Sequence, residues 1–588
     1  MFAAVALAVG LPAFLVPAHA STPTAAAAPN PLPWLHIAHP GLGARPYLAD
    51  AAGRTVVLRG VNAAGIEDDY YVGATLTSTA PVWKIDPTVY DSGACPTNSH
   101  LSGEPPLCQA DFAQMHALGF NVVRLTVSWS QLEPDPGEYN QTYIARIAQI
   151  VSWAKAEGIY VLIDMHEDDY SRFTPSTAGP IPPNPIAGPV GQSPNHADGA
   201  PPWAVLTDGE PAAAVANQGP FNAFVEAAFT SFWLNRIPTD PHGSARPQMQ
   251  APGPGLQDHY IGAMAAVARQ FVDEPAVVGY EIMNEPLPGL LPPGAFSTTN
   301  LYPFYRRVID ALTGLSDGLP CPTSLPATPA CGYPDLKVHD TRHAFFFEPM
   351  VLRNLEDAPD QAPLPFSSYP NLVYAPHTYT HVFTLDQNAG LSPSASPYPL
   401  SYDQAFQVAD TEARALGAAL FSGEYGTSPD QDNTVLGPEM AAQDRALAGS
   451  TLWLWKGNCG PGSTQAQCNN IWGMYAADAA ATPAANLDLI PTRVANVSRV
   501  WPRATAGTLE SFLFDPSSQT FHMTATSGEA VARGDQGHET VVFIPSWVHG
   551  TVVVTGGAML DTVSSQPDLT RVAYIAPDGT GSYAVSVR

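Results

Sequence analysis

Between residues 55 and 456, eight short runs rich in β-branched and aromatic residues alternate with stretches of helical periodicity. The runs span 55–62, 120–129, 159–166, 276–286, 343–350, 371–379, 419–426 and 450–456. Most are nearly continuous in apolar residues, as in FNVVRLTVSW, where a half-exposed strand would alternate. Strands of that kind belong to a parallel sheet covered on both faces. Parallel neighbours need long crossovers, and helices supply them here. In one, Tyr143, Ile144, Ile147, Ile150, Val151 and Ala154 form an apolar stripe that Gly158 ends. Eight such units predict an α/β fold, a TIM (β/α)8 barrel.

After Pro502 the texture changes. Residues 508–588 hold six short alternating runs separated by turn residues, which predicts a small C-terminal antiparallel β-sandwich. The domain reading is a barrel over 34–502 and a sandwich over 503–588. Ahead of them, the apolar run 2–20 ends in Ala18-His19-Ala20, so residues 1–20 read as a signal peptide and 21–33 as an Ala/Pro linker. The expectation is a secreted protein, and the Ala/Pro-rich composition looks bacterial. The six cysteines fall in local pairs, Cys95 with Cys108, Cys321 with Cys331 and Cys459 with Cys468. In a secreted chain these read as three loop-stapling disulfides. Sequence proximity is the warrant for that pairing, since six cysteines allow fifteen connectivities.

Twenty-five Lys and Arg against 53 Asp and Glu give a formal net charge of −28. That balance argues against a general nucleic-acid binder and against electrostatic docking on anionic lipid. No C-x-x-C and no zinc-finger spacing occurs, and neither a metal nor another cofactor is expected.

In a TIM barrel the site is built where the strands end. The fourth run ends in Asn284-Glu285-Pro286 and the seventh in Gly423-Glu424-Tyr425. Two carboxyls facing one pocket can divide acid and base work. At ~5–5.5 Å across a sugar they perform retaining glycoside hydrolysis. Glu424 would be the nucleophile and Glu285 the acid/base. Arg124 and Tyr379 would hold Glu424 ionised, and Asn284 would bind the sugar 2-OH. His377 stands with Tyr379 at the end of the sixth run. His166 and Asp168 would line the sugar subsite, with Trp455 as a flat floor for the ring. For Asp164 the alternatives are a structural role and a subsite role, and for Glu167 solvation and substrate contact.

The ordered set Arg124, Asn284-Glu285, His377-x-Tyr379, Glu424 and Trp455 resembles glycoside hydrolase family 5, the cellulase family of clan A. A narrower resemblance joins it. Asp164-Met165-His166-Glu167-Asp168-Asp169-Tyr170-Ser171 is similar to the DMHQDxYS segment of the endoglycoceramidase branch. Gly199-Ala200-Pro201-Pro202-Trp203-Ala204 is similar to its G-A-P-x-W-A loop, and Trp501-Pro502 with Ala506-Gly507 to its entry into the C-terminal sandwich. The resemblance implies hydrolysis of the bond between an intact glycan and ceramide in glycosphingolipids. That branch carries a Lys after the first strand; residues 60–69 hold none, and Lys456 is the expected substitute cation. The alternatives are another family 5 β-glycosidase, an endoglucanase or simple β-glucosidase, and, more remotely, a non-catalytic carbohydrate-binding barrel.

A ceramide needs a wide apolar surface beside the leaving-group subsite. The long insertion at 173–258 offers Trp203, Phe221, Phe224, Phe229, Phe232 and Trp233, and the loop after Glu285 offers Leu287, Leu290 and Leu291. The expected partners are a glycolipid or oligosaccharide and, in passing, a lipid surface or micelle. The chain itself is expected to be a monomer.

Overall fold

The computed structural model describes residues 32–41, 43–66, 107–171, 174, 199–207, 223–238, 254–315, 335–360, 369–383, 391–392, 400–457, 464–469, 471–477, 488–566 and 570–588. The signal-like segment, Phe221 and Cys95, Cys321, Cys331 and Cys459 lie outside them. Eight parallel strands close into a barrel: β1 (Arg59–Ala63), β2 (Val122–Ser128), β3 (Tyr160–His166), β4 (Val277–Glu281), β5 (Ala344–Phe347), β6 (Leu372–Tyr374), β7 (Ala419–Tyr425) and β8 (Gly449–Leu452). Every residue of every barrel strand is buried. Side chains fill the inside and helices cover the outside, which is why these runs carry no polar alternation.

The helix after β2, α1 (Gln141–Ala156), starts where the sequence has its signals. The Asn140 side chain accepts from the N–H groups of Thr142 and Tyr143, satisfying two of the free donors of the first turn. The predicted stripe, Tyr143 through Ala154, is its buried face. Gly158 follows at φ +69°, a left-handed backbone that glycine adopts without strain.

The C-terminal domain is two antiparallel sheets. One holds four strands, Thr508–Asp515, Thr520–Ser527, Gly581–Val587 and Val552–Gly556. The other holds seven, and three of them come from the N-terminus: Leu35–Ala38, Tyr47–Asp50 and Thr55–Val56. The expected barrel domain, 34–502, thus opens with three strands that pair into the C-terminal sheet. Thr55–Val56 pairs with Trp501–Thr505, the strand that also straddles the expected boundary at 502. The run 55–62, read as one strand, therefore divides. Its first half joins the sandwich and its second half is β1. Leu509, Phe512, Phe514, Phe521, Met523, Phe543 and Val585 pack between the sheets as the core. Among the described residues, no helix is long and apolar enough to cross a membrane.

Candidate active site

Arg124 projects from β2 into the barrel, level with Asn62 of β1, and is fully buried. A charge there requires partners, and five lie within 3.1 Å. Its Nε donates to Glu281 Oε2 at 2.6 Å, and Nη1 to Asn62 Oδ1 at 2.9 Å and Glu424 Oε1 at 2.7 Å. Its Nη2 donates to Asn284 Oδ1 at 2.8 Å and lies 3.1 Å from Asp164 Oδ2. Burial opposes the guanidinium charge, but Asp164, Glu281 and Glu424 outweigh it and raise its pKa further.

Glu424 receives a second donor, the Tyr379 hydroxyl, at 2.6 Å to Oε2. The β7–β8 register shifts between Ser422 and Tyr425. Such a bulge re-aims a side chain at a strand end, here that of Glu424. The glycine before it is needed for space, because a Cβ on Gly423 would come within 3.2 Å of the His377 ring.

Glu285 stands four residues beyond β4 at φ +40°, a backbone that costs a non-glycine residue energy and collects at functional sites. Its Oε1 lies 2.8 Å from His377 Nδ1. Burial pushes its carboxyl up, but the hydrogen bond and charge of His377 prevail and hold it below the usual carboxylate value. One side-chain oxygen of Glu285 and one of Glu424 lie within 4.8 Å of each other, and His377 Nδ1 stands between them, 2.8 Å from Glu285 and 3.5 Å from Glu424.

At the end of β3, His166 Nδ1 lies 2.6 Å from Asp164 Oδ2, which fixes the ring and leaves Nε2 3.8 Å from Asp168 Oδ2. Asp164 thus serves both Arg124 and His166 from below. Glu167 is neither solvated nor turned to the mouth. It is buried, and its Oε2 accepts the Tyr170 N–H at 2.6 Å. That bond closes a turn in which Asp169 and Tyr170 both have positive φ, +52° and +72°. Burial, with Asp168 and Glu285 nearby, pushes Asp169 well above the carboxylate range.

Three expectations need correction. Trp455 is no sugar floor: it is 1% exposed, its Nε1 donates to Asp111 at 3.0 Å, and its ring meets Tyr475 edge-on. The half-buried Trp453 takes the place at the mouth, stacked on His166 at 5.3 Å with 12° between the planes. Lys456 is no substrate cation, since it is buried against Asp111 and over the Tyr475 ring. Phe229, Phe232 and Trp233 offer no exposed apolar surface. They are buried against Tyr170, Tyr260 and Phe304, and Phe229 and Phe232 border only a small enclosed cavity beside His166. Phe224 is half-buried. Trp203 is half-buried against Trp129, and Leu287 and Leu291 pack on the core. Leu290 alone of these stays largely exposed, at 53%.

Sequence reasoning missed two buried carboxyls, Glu281 and Glu348. Glu281 ends β4 beneath Asn284, and burial raises its carboxyl against the pull of Arg124. Glu348 follows β5 and contacts His377. Their signal was a lone charge inside or just after an apolar strand, which demands a buried partner. Of the cysteines, Cys108 and Cys468 are buried and neither is free.

The sequence model of the cellulase family, glycosyl hydrolase family 5, matches residues 90–458. That of the glycoside hydrolase family 5 C-terminal domain matches residues 499–587. Endoglycoceramidase I of Rhodococcus hoagii (strain 103S) is 24% identical over 546 residues, covering 92% of this chain and 86% of that protein. An endoglycoceramidase of Hydra vulgaris is 30% identical over 217 residues, covering 34% of this chain and only 38% of that relative. A crystal structure of an endogalactoceramidase superposes with a TM-score of 0.65 at 25% identity, covering 95% of this chain and 100% of that one. The chain belongs to glycosyl hydrolase family 5, as a hydrolase of O-glycosyl bonds with that family's C-terminal domain behind its barrel.

Proposed function

We propose that this chain is a secreted retaining β-glycosidase of endoglycoceramidase type, releasing an intact glycan from ceramide through a covalent glycosyl-enzyme. The observation that carries the chemistry is the approach of Glu285 and Glu424 to within 4.8 Å. That spacing belongs with the ~5–5.5 Å class, in which the second carboxylate attacks, and not the ~6.5–9.5 Å class, which makes room for water. Glu424 attacks the anomeric carbon, held as a carboxylate by Arg124 and Tyr379. Glu285 protonates the leaving oxygen and then takes a proton from the water that frees the sugar. Asn284, fixed by Arg124 and by its own donation to the Glu167 carbonyl at 2.9 Å, meets the sugar 2-OH. Trp453 offers the apolar face, with His166 and Asp168 at the ring's edge.

The ceramide aglycone is supported by likeness to an endoglycoceramidase across both domains and by exposed Leu290 in the loop after Glu285. Burial of Phe229, Phe232 and Trp233 favours the second reading, a family 5 enzyme for a glucan or simple β-glucoside. Incubation with a fluorescent ganglioside and with carboxymethyl-cellulose separates the two. Release of intact ceramide supports the first reading; shortened glucan with untouched ganglioside replaces it with the second. The proposal includes export by residues 1–20, a monomer that meets micelles only in passing, and three local disulfides. Six free thiols in the exported protein by mass spectrometry would refute the disulfides.

A further inference from the structure

Two half-buried rings, Phe383 and Trp472, stand beside the nucleophile and have no part in the chemistry derived above. Phe383 belongs to the turn that follows His377-Thr378-Tyr379 after β6, and Trp472 to the chain beyond β8. They are stacked, 5.3 Å apart with 23° between the planes. Both also meet Tyr379, whose hydroxyl donates to Glu424: Phe383 edge-on at 5.1 Å and Trp472 tilted at 5.9 Å. The indole lies against the backbone two residues past Glu424, where a Cβ on Gly426 would come within 3.4 Å of its Cε3. The pair is therefore continuous with the catalytic centre through Tyr379 and through Gly426.

The pair is held in place. The buried Arg493, 2.8 Å from Asp432, donates to the carbonyls of Trp472, Gly473 and Thr427 and so fixes the chain after β8 against the chain after β7. An aromatic surface with a pinned backbone loses little freedom on meeting a ligand. Its place decides which part of the ligand it meets. Trp453 after β8, with His166 and Asp168 at the end of β3, marks the sugar's side of the mouth. The other side is the arc from β4 to β7. The leaving group departs over that arc, since its acid, Glu285, follows β4. Phe383 follows β6 and Trp472 rests on the end of β7, so both lie within it. A second sugar there would need hydroxyl partners as well as a ring face. The side chains packed with this pair are Tyr379, Val382, Val435 and Tyr402, and the Tyr379 hydroxyl is committed to Glu424. An apolar chain needs contact alone.

We propose that Phe383 and Trp472 are specificity-determining residues for the leaving group, the wall against which an apolar aglycone lies over its first few carbons beyond the glycosidic oxygen. The inference rests on Glu424 and Glu285 acting as nucleophile and acid. It moves the aglycone contact away from the insertion after β3, where Phe229, Phe232 and Trp233 are buried, to the chain after β6 and β8. Leu290, 53% exposed in the loop after Glu285, stands at the β4 end of the same arc.

Alkyl β-glycosides from methyl to octyl test this, because their leaving groups differ in apolar length and hardly in basicity. A fully buried methylene is worth roughly fourfold, so kcat/KM is expected to rise by roughly tenfold or more from methyl to octyl. Trp472→Ala is expected to cut the octyl-to-methyl ratio by about tenfold, and Phe383→Ala by about threefold. An equal loss on the methyl, octyl and dinitrophenyl β-glycosides would show that the rings only brace Tyr379, and overturns the proposal. A flat alkyl series in the unaltered enzyme also overturns it; joined to a steep preference for a second glucose as leaving group, it would make the pair a sugar platform. Should neither variant show a folded melting transition, an alkyl β-glycoside with a diazirine near the start of its chain is photolysed in Glu424→Gln, which binds it without turnover. Label on Phe383 or Trp472 supports the wall, and label found only elsewhere overturns it. If the unaltered enzyme hydrolyses no β-glycoside, the dinitrophenyl one included, the glycosidase reading fails and takes the wall with it. Turnover of the dinitrophenyl glycoside with a flat alkyl series removes the wall alone.

Discussion

Arg59 and Arg124 lie on neighbouring barrel strands, and both are buried, yet they sit in opposite charge balances. Arg124 touches Asp164, Glu281 and Glu424, with Glu348 at 3.6 Å, a surplus of carboxyls over cations. Arg59, at the opposite end of the barrel, shares a single carboxylate with Arg499. Its Nη2 is 3.0 Å from Asp444 Oδ1, and Arg499 Nη2 is 2.5 Å from Asp444 Oδ2. The shifts follow the balance. Arg124 is raised, whereas for Arg59 burial, helped by Arg499, outweighs Asp444 and lowers it. The Asp444 cluster ties β1, helix α2 (Gly437–Arg445) and the sandwich strand Thr508–Asp515 together, since Asp444 also accepts the Phe514 N–H. Around Arg124 the carboxyls outnumber the cation, and burial raises Glu281 and Glu348. One cluster is a clamp between domains and the other a reaction site, and the stoichiometry of the charges separates them.

If that distinction holds, the two clusters should fail differently. Glu424→Gln keeps the packing and removes the nucleophile, so turnover of every β-glycoside should fall by roughly four orders of magnitude or more, with little change in melting. Retention of a few per cent of the activity in a clean preparation would sink the assignment. Asp444→Asn should do the reverse. It leaves two buried arginines without a charge partner, at a cost of about 3–5 kcal/mol, read as an earlier urea midpoint. The kcat of the folded fraction should match the unaltered enzyme, and a large drop in kcat would show that the clamp is part of the site.

Within the site the comparison sharpens on Glu285. Glu285→Ala removes acid assistance, which an activated leaving group scarcely needs. The dinitrophenyl glycoside should show a burst and an accumulated glycosyl-enzyme, while the octyl glycoside loses roughly 10²–10⁴-fold in kcat/KM. Equal loss on both would count against Glu285 as the acid.

Much of this was legible in the chain. Continuous apolar runs announced the barrel, and polar groups at their ends announced Glu285, Glu424, Asn284, His377 and Tyr379. What the runs concealed were charges placed within or against them. Glu281 ends a strand and Glu348 sits just past one, where a local reading sees only an apolar segment. Their partners, Arg124 and His377, come from other strands, so nothing local marks the pairing. The same limit hid the N-terminal strands, whose partner Trp501–Thr505 is far away in sequence. For the aromatic stripe Phe229, Phe232 and Trp233, composition fits a core and a lipid groove equally. Only the neighbours Tyr170, Tyr260 and Phe304 decide between them.

The smallest expected effect distinguishes two tryptophans two residues apart. Alternation along a strand would put Trp453 and Trp455 on one face. But β8 ends at Leu452, and beyond it the alternation no longer applies. Trp453 stacks on His166 with part of its ring open, whereas Trp455 is enclosed and hydrogen-bonded to Asp111. Trp453→Ala should therefore raise KM for a simple β-glycoside by about five- to tenfold, the ~1 kcal/mol of one ring contact, with a smaller change in kcat. Trp455→Phe should leave KM alone. It keeps the ring and deletes one buried donor, so the expected loss is about 1 kcal/mol of stability. A KM shift in Trp455→Phe with none in Trp453→Ala would reverse the two roles and restore Trp455 to the sugar.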